Sequence, residues 1–139
     1  MVIGGHGDTT MVPLTSKATI KGVPASQFLS KKKLEQVAAD TMVGGATLTG
    51  LLGTSAWYAP GAAAAQMVES IIKDQKRTVP CCVKLEGEYG IDDCYLGVPV
   101  VLGKNGVEKV IECKLSAEEM ELLQISRQHV LEVMSVIKK

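Results

Sequence analysis

Residues 94–115, CYLGVPVVLGKNGVEKVIECKL, contain two apolar runs on either side of a short polar turn. The runs cover residues 94–102 and 107–115 and are rich in β-branched side chains, which favour strands. Between them, Asn105-Gly106 is a dipeptide that tight hairpins prefer, because both residues tolerate positive φ. A third run of the same kind, residues 78–85, precedes them across an acidic, glycine-rich loop. The pattern predicts three antiparallel strands.

A helix is predicted ahead of these strands. Ser30 can cap a helix over residues 31–42, in which apolar side chains recur at helical spacing: Leu34, Val37, Ala38 and Met42. The pair Gly44-Gly45 is expected to end this helix, because glycine disfavours helix interiors. Residues 17–24, which come before it, are expected to form a short extended segment.

A second helical region is predicted over residues 48–76. Interruptions are expected at residues 53–55 and at Pro60-Gly61, where glycine and proline cluster. The alanine-rich part, residues 62–73, has high helix propensity, and its small side chains allow another helix to approach closely.

The C-terminal segment begins with a capping box, Ser116-Ala117-Glu118-Glu119. In this motif the serine and the second glutamate each accept a hydrogen bond from the other's backbone N–H. The helix that follows has one apolar face that includes Leu123, Val130, Met134 and Ile137. Arg127 shares this face and extends from its edge. Together these elements predict an α+β fold in which long helices pack on an antiparallel sheet, within a single domain over residues 1–139.

Composition excludes several classes of partner. The 15 basic and 15 acidic residues cancel, so neither a nucleic acid nor an anionic membrane surface is an expected partner. No apolar run reaches the roughly 18 residues of a spanning helix, and the start lacks the pattern of a secretory signal. The chain is therefore predicted to be cytoplasmic.

The four cysteines are predicted to be buried structural thiols in a reducing compartment: Cys81, Cys82, Cys94 and Cys113. They form no CxxC pair and have no histidine at ligand spacing, so no metal site is predicted.

Residues 2–13, VIGGHGDTTMVP, place His6 between two glycines. A ring with such neighbours can be approached closely by a small substrate, and a general acid or base must first come within hydrogen-bonding reach. Asp8 lies two residues further on, roughly 7 Å along an extended chain, so it is expected to bond within the loop rather than to orient the ring. The pattern makes His6 a candidate acid–base residue, although a lone histidine is more often structural.

Five short motifs occur in order across nearly the whole chain: GHGD at residues 5–8, GGA at 44–46, SAWYAP at 55–60, EGEYG at 86–90 and GVPVVLG at 97–103. Each is weak alone, but together they resemble the C-terminal half of the lactate/malate dehydrogenase family. The segment Met11-Val12-Pro13 is more similar to the malate branch of that family than to the lactate branch. The resemblance implies that family's C-terminal domain fold.

The resemblance also implies a reaction. Malate would be oxidised to oxaloacetate, a step of the tricarboxylic acid cycle, with hydride transfer to NAD and with His6 as the proton acceptor. The same resemblance places Gly5, Ser55, Ala56 and Pro60 beside the substrate and the nicotinamide. It further implies a homo-oligomer, either a dimer or a tetramer.

A dicarboxylate needs cationic partners, and guanidinium groups bind carboxylates with two parallel hydrogen bonds. The arginines of this chain are Arg77 and Arg127, and neither matches a substrate-binding position of the family. The resemblance places the substrate arginines, the carboxylate that orients His6 and the dinucleotide-binding domain upstream of Val2. NAD is thus expected to be bound mainly by an N-terminal domain absent from this chain, and the isolated chain is expected to be inactive or nearly so.

Two other functions remain open at this point. One is a lactate or other 2-hydroxy acid dehydrogenase, and the other is a non-catalytic oligomerisation or interaction module. If a partner normally covers the alanine-rich and C-terminal helices, the chain should expose an apolar patch larger than the few hundred Å² usual for monomers and should self-associate.

Overall fold

An antiparallel sheet of five strands forms the centre of the computed structural model, which describes residues 1–137. Two further strands form a separate hairpin, and three long helices surround the sheet. The strands are β1 (Val2–Gly4), β2 (Met11–Pro13), β3 (Thr19–Ile20), β4 (Val23–Pro24), β5 (Arg77–Lys84), β6 (Tyr95–Gly103) and β7 (Gly106–Val110). The helices are α1 (Lys31–Leu52), α2 (Tyr58–Ile72) and α3 (Ala117–Ile137). The α+β class expected from the sequence is confirmed.

Strand β6 organises the sheet because it pairs with three others. It runs antiparallel to β5 along eight residue pairs, from Arg77 opposite Leu102 to Lys84 opposite Tyr95. Its other edge pairs with β1 near its start and with β7 near its end. The three predicted strands are therefore confirmed, and β1 and β2 extend the sheet to five through the order β2-β1-β6-β5.

The core lies between β6 and α3. Alternate residues of β6 are buried, namely Leu96, Val98, Val100 and Leu102, and Pro99 and Gly103 are buried as well. Leu123 of α3 is fully buried in the same cluster. Residues from β1, β2, β5 and the loops that follow β2 and β5 complete it: Ile3, Val12, Leu14, Cys81, Leu85, Tyr89, Ile91 and Cys94.

Helix α1 is longer than the sequence pattern predicted. Ser30 is the N-cap, as expected, and its hydroxyl accepts a hydrogen bond of 3.3 Å from Lys33 N–H. The prediction that Gly44-Gly45 ends the helix is wrong, because α1 continues to Leu52. A helical glycine costs about 1 kcal/mol, which a long helix tolerates. The helix ends where Gly53 adopts the left-handed conformation at φ 67°, which stops a helix outright.

Replacing Gly45 with alanine should therefore stabilise the protein by about 0.5–1 kcal/mol. A Cβ at this position would meet nothing within 4 Å, so only the helix propensity changes. Urea unfolding of the variant and the wild type measures the difference. A loss of stability would contradict this prediction and would mean that another surface approaches Gly45 in solution.

Two other predicted boundaries also need correction. Pro60-Gly61 does not interrupt α2, because Pro60 lies in the first turn, where a backbone N–H has no helical partner to lose. Residues 17–24 are not one extended segment, since Lys21 and Gly22 turn the chain with positive φ between β3 and β4. The break between α1 and α2 near residues 53–55 is confirmed.

The predicted strand over residues 107–115 ends early, at Val110. Beyond Val110, the Tyr89 side chain makes the hydrogen bonds that a partner strand would make. Its hydroxyl donates to the Ile111 carbonyl at 3.1 Å and accepts from Cys113 N–H at 2.9 Å. The Glu112 carboxylate accepts a hydrogen bond from Tyr89 N–H at 2.7 Å. The two bonds of the Tyr89 hydroxyl therefore satisfy the Ile111 carbonyl and the Cys113 N–H without a strand ladder.

The capping box of α3 is confirmed and has an additional partner. Glu119 N–H donates to the Ser116 hydroxyl at 3.1 Å, and Ser116 N–H donates to the Glu119 carboxylate at 2.9 Å. The same carboxylate accepts from the Ser16 hydroxyl at 2.8 Å and from Ser16 N–H at 3.2 Å. Burial raises the pKa of Glu119, but these hydrogen bonds outweigh it and hold the pKa below its ordinary value of 4.5.

Replacing Glu119 with glutamine should lower the free energy of unfolding by about 1–3 kcal/mol at neutral pH, because an amide cannot accept all three hydrogen bonds. The sign of the pH dependence follows from the lowered pKa. The stabilisation by the carboxylate is fully present above the ordinary value of 4.5 and is lost as the pH falls through the folded-state pKa. Urea unfolding at neutral pH and below pH 4 tests this, and an equal deficit at both would contradict it.

The face of α3 is partly as predicted. Leu123 is buried, and Val130 and Met134 pack against the core. Ile137 is 78% exposed and does not pack against the core. Arg127 leaves the edge of the face, as predicted, and binds both oxygens of Asp93.

The cysteines differ in exposure. Cys81 and Cys94 are buried and Cys113 is half-buried, but Cys82 is exposed, so its predicted burial is wrong. Neighbouring residues of a strand point to opposite faces, and Cys82 follows the buried Cys81 on β5. Burial raises the pKa of the Cys81 and Cys94 thiols.

Within residues 1–137, no group of three potential metal ligands occurs, and none of the helices has the length and hydropathy needed to cross a membrane.

Candidate functional site

His6 lies in a closed loop that joins β1 to β2. Gly5 N–H donates to the Thr10 carbonyl at 3.1 Å across the base of the loop. At its tip, Thr10 N–H and Met11 N–H both donate to the Gly7 carbonyl, at 2.9 and 3.0 Å. The backbone hydrogen bonds on both sides of His6 therefore define the position of its Cα.

The Thr10 side chain fills the inside of this loop. Its hydroxyl accepts from Gly7 N–H at 2.8 Å and donates to the Gly7 carbonyl at 3.1 Å. A Cβ on Gly5 would lie 2.6 Å from the Thr10 hydroxyl oxygen, which is closer than real Cβ contacts. Gly5 is therefore required for the loop to close, which explains why a glycine precedes His6.

The His6 side chain is exposed. In the described part of the chain, neither its ring nor the Asp8 carboxylate makes a hydrogen bond. The ring is thus available to a ligand, and Asp8 does not orient it here.

A cavity of about 380 Å³ lies beside His6. Its walls come from β1 with Gly5 and His6, from Met11 of β2, from Pro80 to Cys82 of β5, from Tyr95 and Gly97 of β6, and from Val130 of α3. The walls are largely apolar, and His6 supplies the imidazole among them. Such a cavity suits a small molecule that reacts with one polar group.

The other residues that the resemblance placed at the site lie elsewhere on the chain. Ser55 and Ala56 belong to the connection between α1 and α2, and Pro60 lies in the first turn of α2. Ser55 and Pro60 are exposed and Ala56 is half-buried. None of the three lines the cavity beside His6, whereas Gly5 does.

Both arginines are already paired. Arg77 contacts the Glu69 carboxylate at 3.4 Å, and Arg127 binds Asp93 through two nitrogens. The hydrogen bond from Arg127 lowers the pKa of Asp93. Neither guanidinium lines the cavity beside His6, so the residues described here offer no unpaired guanidinium to an anionic substrate.

Sequence reasoning missed Ser126. Its hydroxyl accepts a hydrogen bond from Gly5 N–H and donates one to the Thr10 carbonyl, each at 2.8 Å, and the side chain is 1% exposed. The sequence does contain a signal that Ser126 is buried, because Ser126 lies three residues after Leu123 and four before Val130, on the buried face of α3. A hydroxyl at such a position needs partners.

A second, larger cavity of about 800 Å³ lies between α1 and the start of α3. Thr9 to Pro13 form one of its walls, and apolar residues of both helices form the others, among them Leu34, Met42, Leu122 and Ile125. His6 does not line it.

Comparison with known proteins gives a consistent result. The family model described as "lactate/malate dehydrogenase, alpha/beta C-terminal domain" matches residues 1–139. A malate dehydrogenase of Cytophaga hutchinsonii is 62% identical over 137 residues, which are 99% of this chain and 44% of that protein. One of Parabacteroides distasonis is 68% identical over 122 residues, which are 88% of this chain and 39% of that protein. This chain thus spans less than half the length of these relatives.

Solved structures of malate and lactate dehydrogenases have the same fold as this chain. A malate dehydrogenase from Salinibacter ruber has a TM-score of 0.94 at 47% identity, over 99% of this chain and 45% of that one. A lactate dehydrogenase from Cryptosporidium parvum, solved with lactic acid and nicotinamide adenine dinucleotide, also has a TM-score of 0.94, at 38% identity, over 99% of this chain and 45% of that one.

Proposed function

Because this chain belongs to the lactate/malate dehydrogenase family, as its alpha/beta C-terminal domain, we propose that it is the catalytic and substrate-binding domain of an NAD-dependent malate dehydrogenase. The observation that carries the proposal is the exposed His6 ring, held on a closed loop beside a small cavity. The choice of malate over lactate is supported by the two curated relatives above, which are malate dehydrogenases 62% and 68% identical to this chain.

In the proposed reaction, the C2–H bond of malate breaks as a hydride leaves, and the C2 hydroxyl loses its proton. NAD, when bound, supplies the hydride acceptor. His6 takes the hydroxyl proton, so that C2 becomes the carbonyl carbon of oxaloacetate. In reverse, protonated His6 donates a hydrogen bond to the keto oxygen and then returns the proton. Gly5 leaves room beside the ring, and we assign Ser55, Ala56 and Pro60 to the side of the substrate and the nicotinamide.

The residues around His6 fit only the nicotinamide end of NAD. The cavity beside His6 is lined by no lysine or arginine, whereas the pyrophosphate of a dinucleotide needs backbone N–H groups at a helix N-terminus or cations. We therefore propose that residues 1–139 form one domain and that NAD is held mainly by a separate N-terminal dinucleotide-binding domain. The guanidinium partners of the dicarboxylate would come from there as well, because Arg77 and Arg127 are paired.

A mixing experiment tests this proposal. The 139-residue chain alone is expected to form no NADH from malate and NAD above background. Adding the N-terminal part of a close malate dehydrogenase relative is expected to restore malate-dependent NADH formation that a His6→Gln chain does not support. NADH formation by the chain alone at an ordinary enzyme rate would contradict the proposed division of labour. Restoration that is independent of His6 would contradict its role.

We also propose that the assembled protein is a homo-oligomer, because two helices of this chain bury almost nothing. None of the residues of α1 is buried, and in α2 only Ser70 is. Large apolar side chains at their junction are exposed, among them Leu51 at 82% and Trp57 at 65%. Apolar surface of this kind is typical of an interface.

The chain alone is therefore expected to self-associate at high concentration and to bind a hydrophobic dye. Light scattering and dye fluorescence measure both properties. A monodisperse monomer without dye binding would contradict the expectation. The non-catalytic alternative, an interaction module, differs from the main proposal because it predicts self-association without any restored activity in the mixing experiment.

A further inference from the structure

The Ser126 hydroxyl connects α3 to both ends of the His6 loop. It accepts a hydrogen bond from Gly5 N–H at 2.8 Å and donates one to the Thr10 carbonyl at 2.8 Å. Gly5 and Thr10 are also the two residues that close the base of the loop, where Gly5 N–H reaches the Thr10 carbonyl at 3.1 Å. One side chain, 121 positions from Gly5 in sequence, thus satisfies both groups of that closure.

The surrounding residues make room for this hydroxyl. A Cβ on Gly4 would lie 2.8 Å from the Ser126 oxygen, and a Cβ on Gly5 would lie 3.5 Å from it. Gly4 therefore lets the loop backbone approach α3 closely, whereas a Cβ on Gly5 would make an ordinary contact with the Ser126 oxygen. Within residues 1–137, the two bonds of Ser126 are the side-chain hydrogen bonds from α3 to residues 5–10.

The bonds matter for chemistry because His6 has no hydrogen bond of its own in the described chain. The position of the imidazole is determined by the backbone that carries it, and that backbone is anchored to α3 through Gly5 on one side of His6 and Thr10 on the other. Ser126 is 1% exposed, so water does not replace its bonds in the folded protein.

We propose that Ser126 is a positioning residue for His6: it holds the loop so that the imidazole stays within reach of the C2 hydroxyl of a 2-hydroxy acid. This inference rests on the proposed function. A misplacement of about 1 Å at a reacting group can cost on the order of 100-fold in rate. The substrate's carboxylates are bound by other groups, so the loss of Ser126 should affect kcat rather than KM.

The test uses the native enzyme that carries this sequence, assayed with malate and NAD. Ser126→Ala is expected to lower kcat by about 10- to 100-fold and to change KM by less than about 3-fold. Ser135→Ala is the matched control, because Ser135 is exposed on the same helix and donates to the Glu132 carbonyl. It is expected to keep the wild-type kcat.

A double-mutant cycle separates positioning from general damage. In a His6→Gln background, Ser126→Ala should cause almost no further loss of kcat, because there is no imidazole left to position. An equal loss of kcat in both backgrounds would overturn the proposal, and so would a rise in KM with kcat unchanged. Ser126→Cys, which keeps the size and a weaker hydrogen-bonding atom, replaces Ser126→Ala throughout if the alanine variant does not fold.

Amide hydrogen exchange gives a readout that does not depend on activity. Gly5 N–H should exchange at least 10-fold faster in Ser126→Ala than in the wild type, while amides of β5 keep their rates. Unchanged exchange at Gly5 would overturn the proposed anchoring. If the wild type shows no malate activity, the proposed function fails, and the exchange result alone decides whether Ser126 holds the loop.

Discussion

Replacing His6 with glutamine is expected to lower kcat/KM for malate oxidation by about 10²- to 10⁴-fold in the native enzyme that carries this sequence. Glutamine has a similar size and keeps a hydrogen-bond donor and acceptor, but its amide cannot take up a proton near neutral pH. The loop should be preserved, because its hydrogen bonds involve the backbone and Thr10 and none of them uses the imidazole. The loss should therefore appear in kcat/KM and leave the unfolding midpoint unchanged.

His129→Gln is the matched control for this variant. His129 is half-buried in α3, and it does not line the cavity beside His6. Its replacement should leave kcat/KM within about twofold of the wild type. Steady-state rates of NADH formation measure both variants. A His6→Gln enzyme with wild-type kcat/KM would show that the proton acceptor lies elsewhere.

Gly97→Ala is expected to destabilise the protein by about 2–3 kcal/mol and to displace the His6 loop. A Cβ at residue 97 would lie 2.8 Å from the backbone carbonyl oxygen of Gly4. That carbonyl cannot move away easily, because Gly4 has φ 88° and lies opposite Gly97 in the pairing of β1 with β6. Strand β1 would have to shift as a whole, and His6 follows it after two residues.

Urea unfolding measures the loss of stability, and Gly45→Ala is the control because the same substitution there meets open space. The displacement of the loop should also reduce malate activity in the native enzyme under conditions where the variant is folded. A Gly97→Ala protein as stable as the wild type would contradict the close approach of β1 to β6.

Much of the fold could be predicted because its signals are local. The strands around residues 78–102 follow from runs of β-branched residues, and the two capping serines, Ser30 and Ser116, follow from side chains that satisfy nearby backbone N–H groups. Gly44-Gly45 misled the prediction because helical glycine is unfavourable but not forbidden. Only the left-handed conformation of Gly53 ends the helix, and tertiary structure decides which glycine adopts it.

Part of the candidate site could also be predicted, because its signals are local. His6 and its flanking glycines form a local pattern, and the structure explains Gly5 through its contact with Thr10. Helical spacing could indicate that Ser126 is buried, but its bond to Gly5 could not be predicted, because the two residues are 121 positions apart and no local pattern links them. The addition of β1 to the sheet was missed for a similar reason, since β1 pairs with β6.

We propose that this domain belongs to an enzyme that oxidises malate with NAD. The most direct test compares malate and lactate as substrates of the purified native protein that carries this sequence, with NADH formation as the readout. We expect a kcat/KM for malate at least about 100-fold above that for lactate, because a site built to pair a second carboxylate loses those contacts with a methyl group. A preference for lactate, or no NADH formation from either acid, would contradict it.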